Sequence, residues 1–197
     1  MAKDKPSRKL NYLKAVVIVH GKSELQMCKF IKSKLRIEME ILSNKNGKSS
    51  IQISSIINRL NGNDIKNLNS ICNKYEKDDI DEKFKIFTIM DTDDCSNNEK
   101  RANYKNKSMF KGHWAYDYIC PIYNDGNLEE VLIKSGMKYK SKHSKEMKKE
   151  YIEIFPIDNN KKDAIQIEEF HQQLLKVKNI SNMHEFIKFC LDNKLEF

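Results

Sequence analysis

The chain has 197 residues, 36 Lys or Arg against 28 Asp or Glu, a formal net charge of +8 and 39% hydrophobic residues. That size suits one globular domain, or one domain with an appendage. The longest uninterrupted apolar run is Ala15–Val19, and no apolar stretch follows the charged N-terminal residues, so neither a membrane span nor a secretory signal is expected. Cys28, Cys72, Cys95, Cys120 and Cys190 are scattered, with no C-x-x-C pair to hold zinc and no disulfide-scaffold density, and a reducing cytoplasm is the expected compartment.

The positive charge is concentrated. Residues 1–14 carry five basic side chains against Asp4, and residues 138–149 carry six lysines against Glu146, which leaves the rest of the chain close to neutral. Two basic appendages on a neutral body suit a phosphate-rich partner. Composition alone favours a solvated surface equally, because 32 of the basic residues are Lys and 20 residues are Asn, as an AT-rich coding sequence produces.

In chain order, Ala15–His20 is a β-branched run closed by Gly21, followed by Leu25, Cys28, Ile31 and Leu35 on one helical face: strand, tight turn, helix. Ser23 and Gln26 have capping-box spacing and predict a helix start at Ser23. Residues 38–42 read as a short strand, 43–50 as a loop, and Ile53, Ile56, Ile57 and Leu60 as a helix, which Asn61–Asp64 breaks before another runs to about Tyr75. After the charged stretch 76–83, residues 84–90 form a continuous apolar strand, predicted central and parallel, ending in Asp91-Thr92-Asp93-Asp94. Residues 118–123 read as a further strand, and Asn127 with Glu130 caps a helix carrying Val131 and Leu132. The basic segment 138–149 reads as a loop or the start of an exposed helix. Asp163 with Gln166, and then Ser181, open two amphipathic helices whose apolar positions include Ile165, Phe170, Leu174, Phe186, Phe189 and Leu191. Strands alternating with helices predict a doubly wound α/β core with ligands at the carboxyl ends of its strands.

The acids at those strand ends carry the chemistry. Asp91 and Asp93 follow one strand and Glu24 lies just beyond another, and carboxylates converging in one cleft repel unless a divalent cation neutralises them. Oxygen-only ligands favour Mg²⁺ or Mn²⁺. Each acid alone has a structural reading: Glu24 as a favourable charge at a helix start, Glu130 as a cap, 91–94 as a polar loop. Gly-Lys-Ser occurs at 21–23 and 47–49, but Val16 and Leu42 occupy the positions where a phosphate-binding loop needs glycine. The D-x-D strand end also matches aspartyl-phosphate phosphatases of the haloacid dehalogenase class, although Cys95 departs from their pattern. His113 beside Trp114 fits a base-stacking surface or a loop packed on the core, core packing being the commoner use. His143, His171 and His184 have no ligand spacing.

Taken together, V-I-V-H-G-K-S-E (17–24), I-M-D-T-D-D (89–94) and P-I-Y-N-D-G-N-L-E-E-V-L (121–132) resemble the Toprim superfamily, in particular the small nuclease-type Toprim proteins related to OLD-family nucleases and ribosomal-RNA maturases. The resemblance spans roughly residues 15–135. It implies a Toprim-like, Rossmann-like sheet, mostly parallel and flanked by helices, over residues 15–136, between a basic arm at 1–14 and a basic loop with C-terminal helices at 137–197. It also implies a metal-dependent nuclease acting on RNA or DNA, in phage defence or RNA processing, with room for a partner protein such as an ATPase. By that resemblance Asp91, Asp93 and Glu24 hold Mg²⁺ or Mn²⁺, Glu129 supplies the downstream acid, and His20 or Lys22 assists near the scissile phosphate. His20 stands where the family has Glu before the Gly; an imidazole there could ligate Mn²⁺, act as general base, or mark a non-catalytic, nucleic-acid-binding member. Lys138, Lys140, Lys142 and Lys145 are the expected backbone contacts to nucleic acid.

Overall fold

A computed structural model describes residues 11–136 and 163–195. Four parallel strands form one sheet in the order β2-β1-β3-β4, with β1 Tyr12–Val19, β2 Met39–Leu42, β3 Asp79–Asp91 and β4 Ile119–Asn124. Parallel neighbours need crossover connections, which is why helices separate every pair. α1 (Lys22–Leu35) links β1 to β2; α2 (Ile56–Leu60) and α3 (Leu68–Tyr75) lie between β2 and β3; α4 (Asn98–Lys105) precedes β4; and α5 (Leu128–Lys134), α6 (Asp163–Leu175) and α7 (Met183–Asp192) follow it.

The period-2 alternation of the strands divides the core into two layers. On one face Ala15, Val17 and Val19 of β1 and Phe87 and Ile89 of β3 pack with α1, α5, α6 and α7; on the other Val16, Ile18, Ile86 and Met90 meet Ile56, Leu60, Ile71, Tyr104 and Phe110. Both faces of β1 and β3 are therefore covered, and their continuous apolar runs follow from that. The C-terminal helices share the first of these layers, with Ile167, Phe170, Leu174, Phe186 and Ile187 buried in it, so they are part of the core on which the sheet rests. Ile165 is exposed, and Ile167 takes the inward position on α6. No described helix is long and apolar enough to cross a membrane.

Several boundaries differ from the sequence reading. β1 starts at Tyr12, inside the stretch read as a basic arm, and β3 starts at Asp79, inside the charged stretch read as a connection. The extra residues pair with each other, Tyr12 with Asp79 and Leu13 with Ile80, ahead of an irregularity in register, and Lys14 Nζ meets Asp81 Oδ2 at 2.8 Å. Ladder hydrogen bonds extend a strand past its apolar segment wherever the flanking side chains can remain solvated. α1 starts at Lys22 with extended Gly21 as its N-cap, in place of the predicted start at Ser23. The helix read from 53 to 60 is a 3₁₀ turn at Ile53–Ser55 continued by the short α2. Asn182 is the N-cap of α7, with Ser181 Oγ accepting from the Met183 N–H at 3.1 Å. The lysine-rich segment 138–149, with its four expected backbone contacts, lies outside the described residues.

α4 was not legible at all: in NEKRANYK only Tyr104 is buried. That one residue fastens it. The Tyr104 hydroxyl lies 2.6 Å from Thr88 O, 3.0 Å from Ile122 O and 2.9 Å from Thr88 Oγ1, bridging β3 and β4 from a fully buried position. Tyr104→Phe is expected to lower stability by about 1–3 kcal/mol by leaving buried oxygens without their donor. Urea unfolding checks this, and an unchanged midpoint would show that the bridge adds nothing.

Candidate functional site

β1 and β3 are adjacent, yet the chain leaves β1 toward β2 on one side and returns to β3 on the other. That reversal opens a crevice beyond their carboxyl ends, the place where open α/β sheets take ligands. The register brings Val19 opposite Ile89, and the His20 N–H donates to Ile89 O at 2.8 Å, so the loops after the two strands begin side by side. Asp91 closes β3 on the side shared with Phe87 and Ile89, which is also the side covered by α1 and α5.

Four of the expected acids gather in this crevice. Glu24, in the first turn of α1, is 1% exposed, and Asp91 is 5% exposed. Glu24 Oε2 accepts from the Gly21 N–H at 2.9 Å, which explains why the helix starts where it does, while Oε1 is buried with no hydrogen-bond partner. Glu129, in the first turn of α5, accepts through Oε1 from the Ser23 hydroxyl at 3.0 Å, so the serine read as a cap instead ties α1 to α5. Asp93 is exposed, 3.4 Å through Oδ2 from Asn127 Nδ2. Asn127 also caps α5 through the Glu130 N–H, as its spacing predicts; Glu130 itself turns toward Lys134, 3.9 Å away.

Burial is the first cause of the electrostatics here. It lifts the Glu24 carboxyl from 4.5 to about 7, with the charges of Glu129 and Asp93 adding to the rise and backbone hydrogen bonds opposing it. It lifts Asp91 from 3.8 to about 8; the Glu24 charge pushes the same way, while the Asn124 amide and His20 oppose it. Two neighbouring carboxyls that retain protons near neutrality are a site short of positive charge.

His20 is partly buried beside this pair. Its Nδ1 lies 3.0 Å from Ile51 O and 3.7 Å from Asp94 Oδ2. A carbonyl can only accept, so Nδ1 carries the proton of the neutral ring and the lone pair is on Nε2. Lys22 is exposed at the head of α1. The loop over Asn44–Gly47 leans on the same helix start: Gly47, at φ +77°, is so close to Lys22 that a Cβ would come within 2.9 Å of the Lys22 Cα.

The structure thus brings together Glu24, Asp91, Asp93, Glu129 and His20. Among the described residues, however, no three His, Cys, Asp or Glu side chains are arranged as a ligand set for a metal ion. The donor chemistry suits a hard divalent cation, since the unpartnered atom is a carboxylate oxygen and the neighbouring groups are carboxylates.

Sequence reasoning missed Asn124 and Ser181. Asn124 is fully buried and donates through Nδ2 to Asp91 Oδ1 at 2.9 Å; Ser181 donates through Oγ to Asn124 Oδ1, also at 2.9 Å. An Asn at the apolar end of β4 was the available signal. Trp114 is partly buried against the second core layer, and the neighbouring His113 imidazole accepts from the Ala115 N–H and meets Asn61 Oδ1.

The class that fold and site define is a doubly wound parallel α/β protein with buried carboxyls at its topological switch point. No family model, curated protein or solved structure matches the chain.

Proposed function

We propose that the protein is a Toprim-type, divalent-metal-dependent nuclease that hydrolyses phosphodiester bonds in RNA or DNA. The observation that carries this reading is the pair Glu24 and Asp91, buried together at the switch point with one carboxylate oxygen unpartnered and both carboxyls displaced upward. Burying such a pair costs stability, and a divalent cation removes that cost. Glu24, Asp91 and Asp93 would hold Mg²⁺ or Mn²⁺, with Glu129 completing the site or positioning water. When bound, such an ion lowers the pKa of water and stabilises charge on the leaving oxygen. The chain's own residues do the rest. Lys22, exposed at the head of α1, would offer its ammonium to an approaching phosphate. His20, fixed through Nδ1 by Ile51 O, can receive a proton at Nε2.

Cleavage of single-stranded or structured nucleic acid by the purified chain should require Mg²⁺ or Mn²⁺ and stop on chelation; cleavage that persists in chelator overturns the assignment. A second reading, a catalytically degenerate nucleic-acid-binding module on the same fold, is favoured by the lack of a preassembled ligand set among the described residues and by His20 in the place of an acid. A small-molecule phosphotransfer enzyme rests on D-x-D alone. His20→Glu tests the part that residue plays. If His20 is a ligand, the variant raises Mg²⁺-supported cleavage relative to Mn²⁺, and a fixed ratio removes it from the coordination shell. Nucleic acid bound by a chain that cuts with neither ion supports the module.

A further inference from the structure

We infer that Ser181, in the short connection between α6 and α7, is a positioning residue for the site: through Asn124 it sets the orientation of the Asp91 carboxylate. This rests on the reading of Asp91 as a metal-holding group.

The chain of contacts is short, buried and directional. Ser181 is 1% exposed, Asn124 0% and Asp91 5%. The Ser181 hydroxyl accepts from the Met183 N–H, so its own proton is free to go to Asn124 Oδ1. With Oδ1 fixed on that side, the amide must present Nδ2 to Asp91, where it meets Oδ1 of the carboxylate. Without the serine hydroxyl, Asn124 Oδ1 loses the Ser181 donor and the amide is held less firmly, so the carboxylate hydrogen-bonded to its Nδ2 is less firmly oriented. The backbone holds the relay in register. Asn124 and Ser181 form an antiparallel bridge, and the Asp125 N–H donates to Ile180 O at 2.7 Å. Asn182 satisfies both the Tyr123 N–H (2.8 Å) and Pro121 O (2.9 Å) on the open edge of β4. The connection between the two C-terminal helices is therefore pinned along β4 and ends against Asn124, the hydrogen-bond partner of Asp91. Groups that orient a ligand are worth about 10–100-fold in metal affinity when lost.

The test uses the full chain and Mn²⁺ alone, titrated by calorimetry at one fixed pH above 8. Ser181→Ala and Asn124→Leu should each raise the Mn²⁺ Kd by about 10–100-fold. Because Ser181 acts through Asn124, the double variant should bind no more weakly than Asn124→Leu, and Ser181→Thr should restore affinity. Ile187→Val, a buried change on α7, should lower the melting temperature and leave Kd unmoved. A wild-type Kd in Ser181→Ala, or losses that add in the double variant, overturn the relay and leave Ser181 only its contact with the Met183 N–H at the start of α7. An Asp91→Asn chain that binds Mn²⁺ as wild type does, or a wild-type chain that binds none, overturns the metal reading itself, and the relay with it.

Discussion

Asp91→Asn is expected to reduce metal-dependent cleavage at least about a hundredfold, since a direct ligand should matter no less than the groups that orient it. The substitution keeps the side-chain shape, and the new amide can turn its oxygen to Asn124 Nδ2, the donor that now serves the carboxylate at 2.9 Å. The fold should therefore survive. Stability without metal should rise at alkaline pH, because a buried charge beside Glu24 has gone. Single-turnover cleavage of an end-labelled RNA or DNA, with circular dichroism on the same sample, separates loss of chemistry from loss of structure. If the folded variant cuts as fast as the parent in preparations purified side by side, Asp91 has no part in the reaction.

Opposite effects on activity and stability would follow from how the site is built. The end of β3 and the first turn of α1 bury Asp91 and Glu24, so each carboxyl is displaced before any ligand arrives. Function and folding then compete at two residues, as they do where a site stores unfavourable charge for later use.

The sequence made the helix and strand types visible where burial is two-sided. Ala15–Val19 and residues 84–90 are apolar on both faces because helices cover both, and that pattern needs no partner to be recognised. It was blind where one residue does the anchoring, as Tyr104 does for α4, and where backbone pairing extends a strand through charged residues, as at Asp79–Lys83 of β3. Asp91, Asp93 and Glu24 were legible from their place at or just after strand ends, Glu129 only through the family resemblance, and the groups behind them were not. Asn124 and Ser181 are 57 residues apart and meet only because the connection between α6 and α7 seals the edge of β4. Ser23 shows the same limit in reverse: its spacing to Gln26 fits a cap, but the hydroxyl reaches Glu129 across 106 residues, and Gly21 with Glu24 does the capping. Local spacing describes what a residue can do with its own helix, and tertiary contact decides whether it does so.

The Glu24–Asp91 pair should take stability from the metal-free protein as pH rises from about 4 to about 8, against a smaller opposite contribution from the partly buried His113 and His171, and divalent cation should return part of it. Glu24 moves from 4.5 to about 7 and Asp91 from 3.8 to about 8 on folding, both chiefly through burial. Between the unfolded and folded values the native chain binds more protons than the unfolded chain, so the free energy of unfolding falls with increasing pH. The contribution is intact below about 4, where both states are protonated, and the full penalty is present above about 8, where both are ionised. For two coupled groups the total is on the order of several kcal/mol. Asp91→Asn and Glu24→Gln should each flatten the profile, with little effect at pH 4. Mn²⁺ at a hundred times its Kd should return about 2.7 kcal/mol at pH 8 and almost nothing at pH 5, where protons occupy its ligands. Urea unfolding between pH 4 and 9, with and without Mn²⁺, measures the whole surface. A profile that is flat without metal, or a Mn²⁺ effect as large at pH 5 as at pH 8, would show that these carboxyls carry no stored charge and that any bound ion sits elsewhere.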